Sequence, residues 1–288
     1  MKLNKFLLIT KNQANNKGRL EKISYETWES LSYEKHNKKL IKNAWIYLPF
    51  NYKKENKYNI LYLSHGGWSD ETSIMGTDTR PTIFKNIIDT SIEKNEINPL
   101  IIVLLTYNNT SNKDSWDFNL AIELTDRYHN ELVNDLIPAV ESKYSTYAED
   151  TTLNEIKKSR NHRCFGGFSM GSVNTWCTFR YCLDYFRYFI PISGNYSTSG
   201  EYIASFVKNS RHLPQDFFIF SASGTNDFGF PAFKEQIYSM SKVKNMFKFA
   251  NNEKEGNLIF FVKEGYEHNY EAAYEYIYNA LKFFWQNK

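Results

Sequence analysis

Arg163-Cys164-Phe165-Gly166-Gly167-Phe168-Ser169-Met170-Gly171 runs from an apolar, strand-like segment into a G-x-S-x-G turn, and a helix-period segment follows it. The run predicts a strand over 163–168, a helix over 172–185 and Ser169 on the tight turn between them. Such a turn lifts its central serine clear of the sheet. Flanking glycines are needed because any side chain would collide where the chain doubles back. The helix N-terminus also presents the Met170 backbone N–H to negative charge developing beside the serine.

The same pattern repeats on both sides of this turn. Apolar runs ending in turn residues predict further strands over 44–48, 59–64, 100–106, 188–192, 217–221 and 258–262. Helix-period segments lie over 82–93, 120–144, 200–208, 232–243 and 271–285. Alternating strands and helices give an α/β fold with a mostly parallel central sheet covered by helices on both faces, because parallel strands need crossovers and are buried on both sides. The first 43 residues lack a crossover helix and read as an antiparallel N-terminal lead-in. No 20–50 residue repeat and no Gly/Ser or Pro linker divides the chain, so 1–288 reads as a single catalytic domain with 1–40 as its lead-in.

Composition narrows the partners. The chain has 288 residues, 35 Lys plus Arg against 32 Asp plus Glu, and a net charge of +3. Mixed signs leave no basic stripe for tracking phosphates, so no nucleic-acid partner is expected. No apolar run nears the roughly 20 residues of a membrane span. The Phe6-Leu7-Leu8-Ile9 stretch is also short for the apolar region of a signal peptide. With 42% hydrophobic and 23% charged residues, disorder is excluded for the bulk of the chain. The three cysteines, Cys164, Cys177 and Cys182, lack the spacing of a zinc site or a disulfide scaffold and read as buried hydrophobes. Aromatic residues make up 17% of the chain, a load consistent with a flat ligand and equally with an A/T-rich coding sequence.

A serine hydroxyl needs a base to take its proton and an acid to orient that base. In this strand order the acid and then the histidine follow the serine. Only His212 and His268 come after Ser169, and His212 precedes a strand, at the wrong end of the sheet. His268 follows the last strand and is the candidate base. Asp227, in Gly224-Thr225-Asn226-Asp227, is the one aspartate at a strand's carboxyl end, with Glu235 and Glu264 left as alternatives. His65-Gly66-Gly67-Trp68 stands where a second set of oxyanion donors is expected, and His65 reads as a loop-holding residue.

The ordered set His65-Gly66-Gly67, Tyr107-Asn108, Asp135-Leu136-Ile137-Pro138 with Glu141, Arg163 to Gly171, Pro191-Ile192-Ser193-Gly194, Gly224-Thr225-Asn226-Asp227 and Gly265-x-x-His268 resembles the feruloyl esterases of carbohydrate esterase family 1. Those belong to the esterase D-like branch of the α/β-hydrolase superfamily, and the likeness covers roughly residues 40–288. It implies an α/β-hydrolase fold and hydrolysis of feruloyl (hydroxycinnamoyl) esters on plant cell-wall arabinoxylan or xylo-oligosaccharides, outside the cell, without metal or cofactor. Carried onto this chain, it gives Ser169 as nucleophile, His268 as base, Asp227 as acid, and Met170 with Gly67 and Trp68 as the oxyanion hole. Trp68, Trp116, Tyr196, Phe228 and Phe230 lie in or near rim loops and are the candidate walls of an aromatic acyl slot. Residues 108–119 are polar and punctuated enough for a flap over the site. Ser172 and Asn195-Tyr196 depart from the family pattern and bear on acyl preference. The alternatives are an acetyl-xylan esterase or an S-formylglutathione hydrolase-like esterase on the same fold, and a silent carbohydrate-binding module. A cysteine enzyme using Cys164 is disfavoured because that residue sits inside a strand.

Overall fold

Asn-Ile-Leu-Tyr-Leu-Ser over β3 (Asn59–Ser64) and Leu-Ile-Ile-Val-Leu-Leu over β4 (Leu100–Leu105) are apolar on both faces of a strand, a pattern satisfied only inside a sheet covered on both sides. The computed structural model describes residues 13–285, and the Phe6-Leu7-Leu8-Ile9 stretch lies outside them. Around β3 and β4 stand β1 (Arg19–Trp28), β2 (Lys39–Leu48), β5 (Arg163–Phe168), β6 (Tyr188–Ile192), β7 (Phe218–Gly224) and β8 (Leu258–Lys263). They form one eight-stranded sheet in the order β1-β2-β4-β3-β5-β6-β7-β8. Strands β3 to β8 are parallel, and β1 and β2 join antiparallel at the β4 edge, as the lead-in pattern predicts.

The helices are α1 (Ile83–Glu93), α2 (Phe118–Glu131), α3 (Ile137–Glu141), α4 (Leu153–Lys158), α5 (Met170–Tyr181), α6 (Gly200–Lys208), α7 (Phe230–Lys242) and α8 (Tyr270–Leu281). Alternate strand residues feed two cores. Ile60, Tyr62, Ile101 and Val103 pack with Leu124, Trp176, Ile203 and Phe233 under α2, α5, α6 and α7. Leu61, Leu63, Ile102 and Leu104 pack with Phe84, Ile87, Tyr276 and Ile277 under α1 and α8. The parallel strands therefore end on one rim, where ligands bind in open sheets of this kind.

Several boundaries differ from the sequence reading, among them α8, which ends at Leu281 and not at 285. Strand β2 begins at Lys39, and β1 was not separately legible because its inward Ile23, Tyr25 and Thr27 alternate with polar residues. The helix expected over 120–144 is interrupted by a π-helical turn, Leu132–Leu136. Pro138 has no N–H for the regular ladder and its ring crowds the carbonyl four residues back, so the Ile137 N–H reaches Leu132 O instead. Helix α5 starts directly after Ser169, two residues earlier than expected, and ends at Tyr181.

The base of β5 is fixed by a buried ion pair. Arg163 Nε and Nη2 meet the two Glu141 oxygens at 2.6 and 2.7 Å, and Nη1 donates to Ile156 O. Tyr62 and Thr146 donate to the same carboxylate. Burial pulls the Arg163 pKa down, but the Glu141 charge and hydrogen bonds outweigh it and the net shift is upward. Removing one partner strands a buried charge. Arg163→Ala is expected to lower the unfolding free energy by about 3–5 kcal/mol, read from urea unfolding; a loss below about 1 kcal/mol would show the pair to be dispensable.

Candidate active site

Ser169 sits at φ 60°, ψ −117°, a backbone conformation that costs on the order of 1–3 kcal/mol for a residue with a side chain. What enforces it is the close approach of α5 to β5 and to the end of β3. A Cβ on Gly167 would stand 2.3 Å from Gly171 O, and one on Gly171 would stand 2.3 Å from Ser64 O. The turn is thus closed on both sides by backbone, and the serine side chain is left at its crest.

Two other strand ends meet it there. His268 Nε2 lies 2.9 Å from Ser169 Oγ, and His268 Nδ1 lies 2.8 and 2.9 Å from the two Asp227 carboxylate oxygens. Asp227 is buried and its Oδ1 also accepts the Gly229 N–H at 2.8 Å. The loops that carry the acid and the histidine are laced together. Thr225 N–H donates to Lys263 O, Asn226 N–H to Tyr266 O, and Gly265 N–H to Thr225 Oγ1. Glu235 and Glu264 do not take the place left open to them, because the Nδ1 position is filled by Asp227. His212 pairs with Asp184 at 2.8 Å, away from the serine. Cys164 is buried within β5, and burial pushes its thiol pKa well up.

The His65-Gly66-Gly67 loop is built around one carbonyl. Gly66 O accepts from His65 Nδ1 at 2.7 Å and from Tyr107 Oη at 2.9 Å, while His65 Nε2 meets Thr106 Oγ1 at 2.8 Å. A planar trans peptide points its N–H opposite to its C=O, so anchoring Gly66 O fixes the direction of the Gly67 N–H. Tyr270 ties the loop to α8, accepting the Gly66 N–H at 3.2 Å and donating to Ser69 Oγ at 2.9 Å. His65 is therefore a loop-holding residue, with both ring nitrogens occupied. Burial lowers its pKa to about 4. The Trp68 N–H is a correction to the expected oxyanion hole: it donates to Ser115 O at 3.0 Å and is spent. The Gly67 and Met170 amides donate to no acceptor among the described residues.

A family model whose description reads "Putative esterase" matches residues 42–255. The chain belongs to this esterase family. Its relatives include feruloyl esterases. It is 36% identical to Endo-1,4-beta-xylanase Y of Acetivibrio thermocellus over 84% of its own length and 22% of that protein. It is 25% identical to Endo-1,4-beta-xylanase/feruloyl esterase of Xylanibacter ruminicola, over 80% of its length and 27% of that protein. The chain thus spans about a quarter of the length of these curated relatives. A serine-to-alanine mutant of the feruloyl esterase module from Clostridium thermocellum, complexed with sinapinate, superposes with a TM-score of 0.82 at 34% identity, covering 96% of this chain and 92% of that one.

The aromatic residues of this esterase divide into two groups. Trp68 is 69% exposed, Trp116 53% and Phe228 80%; Phe228 lies 4.2 Å from the His268 ring, and Trp68 and Trp116 stand on the two segments joined by the Trp68 N–H to Ser115 O bond. Tyr196 is turned elsewhere. Its hydroxyl accepts from Arg180 at 2.8 Å, near the far end of α5, and its ring packs on Phe206, so it does not wall the site. Phe230 opens α7 with Lys234 over its ring, and no contact joins it to Ser169 or His268. The expected flap over 108–119 is fastened instead. Asp114 accepts the N–H groups of Asn109, Thr110 and Ser111, and Asn108 bridges Ser69 O, Asn112 O and the Ser115 N–H. Tyr107, Tyr270 and Ser115 went unassigned in the sequence; the one signal available was the position of Tyr107 at a strand end.

Because the folded-state pKa of His65 lies below the usual 6.5, folding favours its neutral form. Its contribution is complete above about pH 6.5 and is lost as pH falls toward 4. His162, also lowered to about 4 by burial, acts in the same direction. Denaturant unfolding at pH 7 and pH 5 is expected to show a smaller pH loss in His65→Asn than in wild type; equal losses would contradict the buried neutral assignment.

Proposed function

We propose that this carboxylic ester hydrolase is a serine esterase that cleaves feruloyl and related hydroxycinnamoyl esters of arabinoxylan or xylo-oligosaccharides, outside the cell, with the whole chain acting as one catalytic domain. The observation that carries the reading is the continuous line Asp227, His268, Ser169 at hydrogen-bond distances across three strand ends. The substrate class is supported by the feruloyl esterase relatives and by the exposed Trp68 and Trp116 rings on the segments next to Gly67 and Ser115, which offer aromatic surface to a cinnamoyl ring.

In this mechanism His268 Nε2 takes the proton from Ser169 Oγ as the oxygen attacks the ester carbonyl carbon. Asp227 accepts from Nδ1–H, which selects the tautomer and stabilises the imidazolium. The carbonyl oxygen gains negative charge and is met by the Met170 and Gly67 N–H groups. Collapse breaks the bond to the alcohol oxygen, which leaves with the proton held on His268. Water then attacks the acyl-enzyme, giving its proton to His268, and the carboxylic acid departs as Ser169 Oγ regains a proton.

The test is hydrolysis of methyl ferulate beside 4-nitrophenyl acetate. Ser169→Ala is expected to lower kcat on methyl ferulate by at least about a thousandfold with unchanged thermal unfolding, and Asp227→Asn by about ten-thousandfold. Wild-type cleavage of the acetyl ester alone would overturn the hydroxycinnamoyl assignment while keeping the esterase. Full activity in Ser169→Ala would overturn the nucleophile.

A further inference from the structure

Two aromatic rings pack against His268, and they are unlike. Phe168, 5% exposed, lies with its ring centroid 4.5 Å from the imidazole and belongs to the core under α8. Phe228 lies 4.2 Å away on a rim turn and keeps 80% of its surface in water. Packing does not account for that exposure, since an apolar ring left in solvent forgoes most of the free energy its burial would give. Nor is the ring on a loose loop. The Gly229 N–H bonds to Asp227 Oδ1 at 2.8 Å and the Phe230 N–H to Asp227 O at 3.0 Å, so the two residues after Phe228 are tied back to the acid that precedes it.

The chemistry of the proposed reaction says what passes over this ring. His268 Nε2 takes the serine proton and must return it to the departing alcohol oxygen, which therefore comes within about 3 Å of Nε2. The carbonyl oxygen faces the Gly67 and Met170 amides, and the acyl group continues in the remaining direction. The group bonded to the alcohol oxygen is thus the part of the substrate that lies against the histidine and the aromatic ring beside it. For a cell-wall ester that group is a sugar, whose ring carries a face of C–H bonds suited to an aromatic surface.

Resting on the ferulate reading above, we propose that the free face of Phe228 is a binding surface for the sugar ring of the leaving alcohol, separate from Trp68 and Trp116. The esterase then gains from the sugar as well as from the acid it releases. Phe228 touches the histidine on one side and the carbohydrate on the other, and couples recognition of the polymer to the proton-delivering group.

Kinetics on two esters of one acid test this. Methyl ferulate offers no sugar, and a feruloylated arabinoxylo-oligosaccharide does. Phe228→Ala is expected to lower kcat/KM on the oligosaccharide ester by about tenfold more than on methyl ferulate, chiefly through KM. Phe228→Trp, which restores a flat face, is expected to keep the ratio within about twofold of wild type. An equal loss on both esters would make Phe228 a positioning residue for His268 alone and overturn the sugar surface, as would an unchanged ratio. If wild type cleaves neither ester, the ferulate reading itself fails and this proposal falls with it.

Discussion

The approach of α5 to β5 at Gly167 and to the end of β3 at Gly171 allows no atom larger than hydrogen at either glycine, and the strained serine backbone is held by that approach. Everything else on the rim is arranged around the fixed crest it creates. Strand β5 is held at its other end by the Arg163–Glu141 pair, so the strand that carries Ser169 is fastened at both ends by interactions buried from water. A polar interior contact is costly to maintain and costly to break. Here its effect is to set where β5 starts relative to α3, and with that the height of the serine above the sheet.

Around that crest the loops hold one another more than they are held by the core. The acid loop and the histidine loop share backbone hydrogen bonds, and Tyr270, two residues after His268, reaches back to the Gly66 amide. One aromatic residue thus connects the base to the loop that supplies the Gly67 N–H. Low-energy arrangements of this kind fix donors before charge develops, which is where electrostatic stabilisation gains most.

Much of this was legible in the chain because the turn chemistry is local. Gly167-x-Ser169-x-Gly171 marks its own geometry, and the order serine, aspartate, histidine at strand ends left few candidates for each role. Strands β3 to β8 were visible because burial on both faces leaves continuous apolar runs. The rest depended on long-range partners. Trp68 sits next to a donor glycine, but its N–H is taken by Ser115, which lies far along the chain. Tyr196 looks like a rim aromatic until Arg180 is seen to draw its hydroxyl along α5. The polar run 108–119 has the composition of a free loop, and only the inward-facing Asp114 and Asn108 side chains turn it into a fastened one. Strand β1 hid in an alternating, half-charged segment because it pairs on one side only.

The fastening of residues 108–117 bears on the size of what the rim can accept. A site that closes by folding a loop over its ligand spends conformational entropy at each encounter and must reopen before product leaves. A rim already ordered by its own carboxylate and amide side chains incurs neither cost. It also has no need to enclose the ligand, so what the rim accepts is set by the crest and its fixed neighbours and not by the reach of a closing loop.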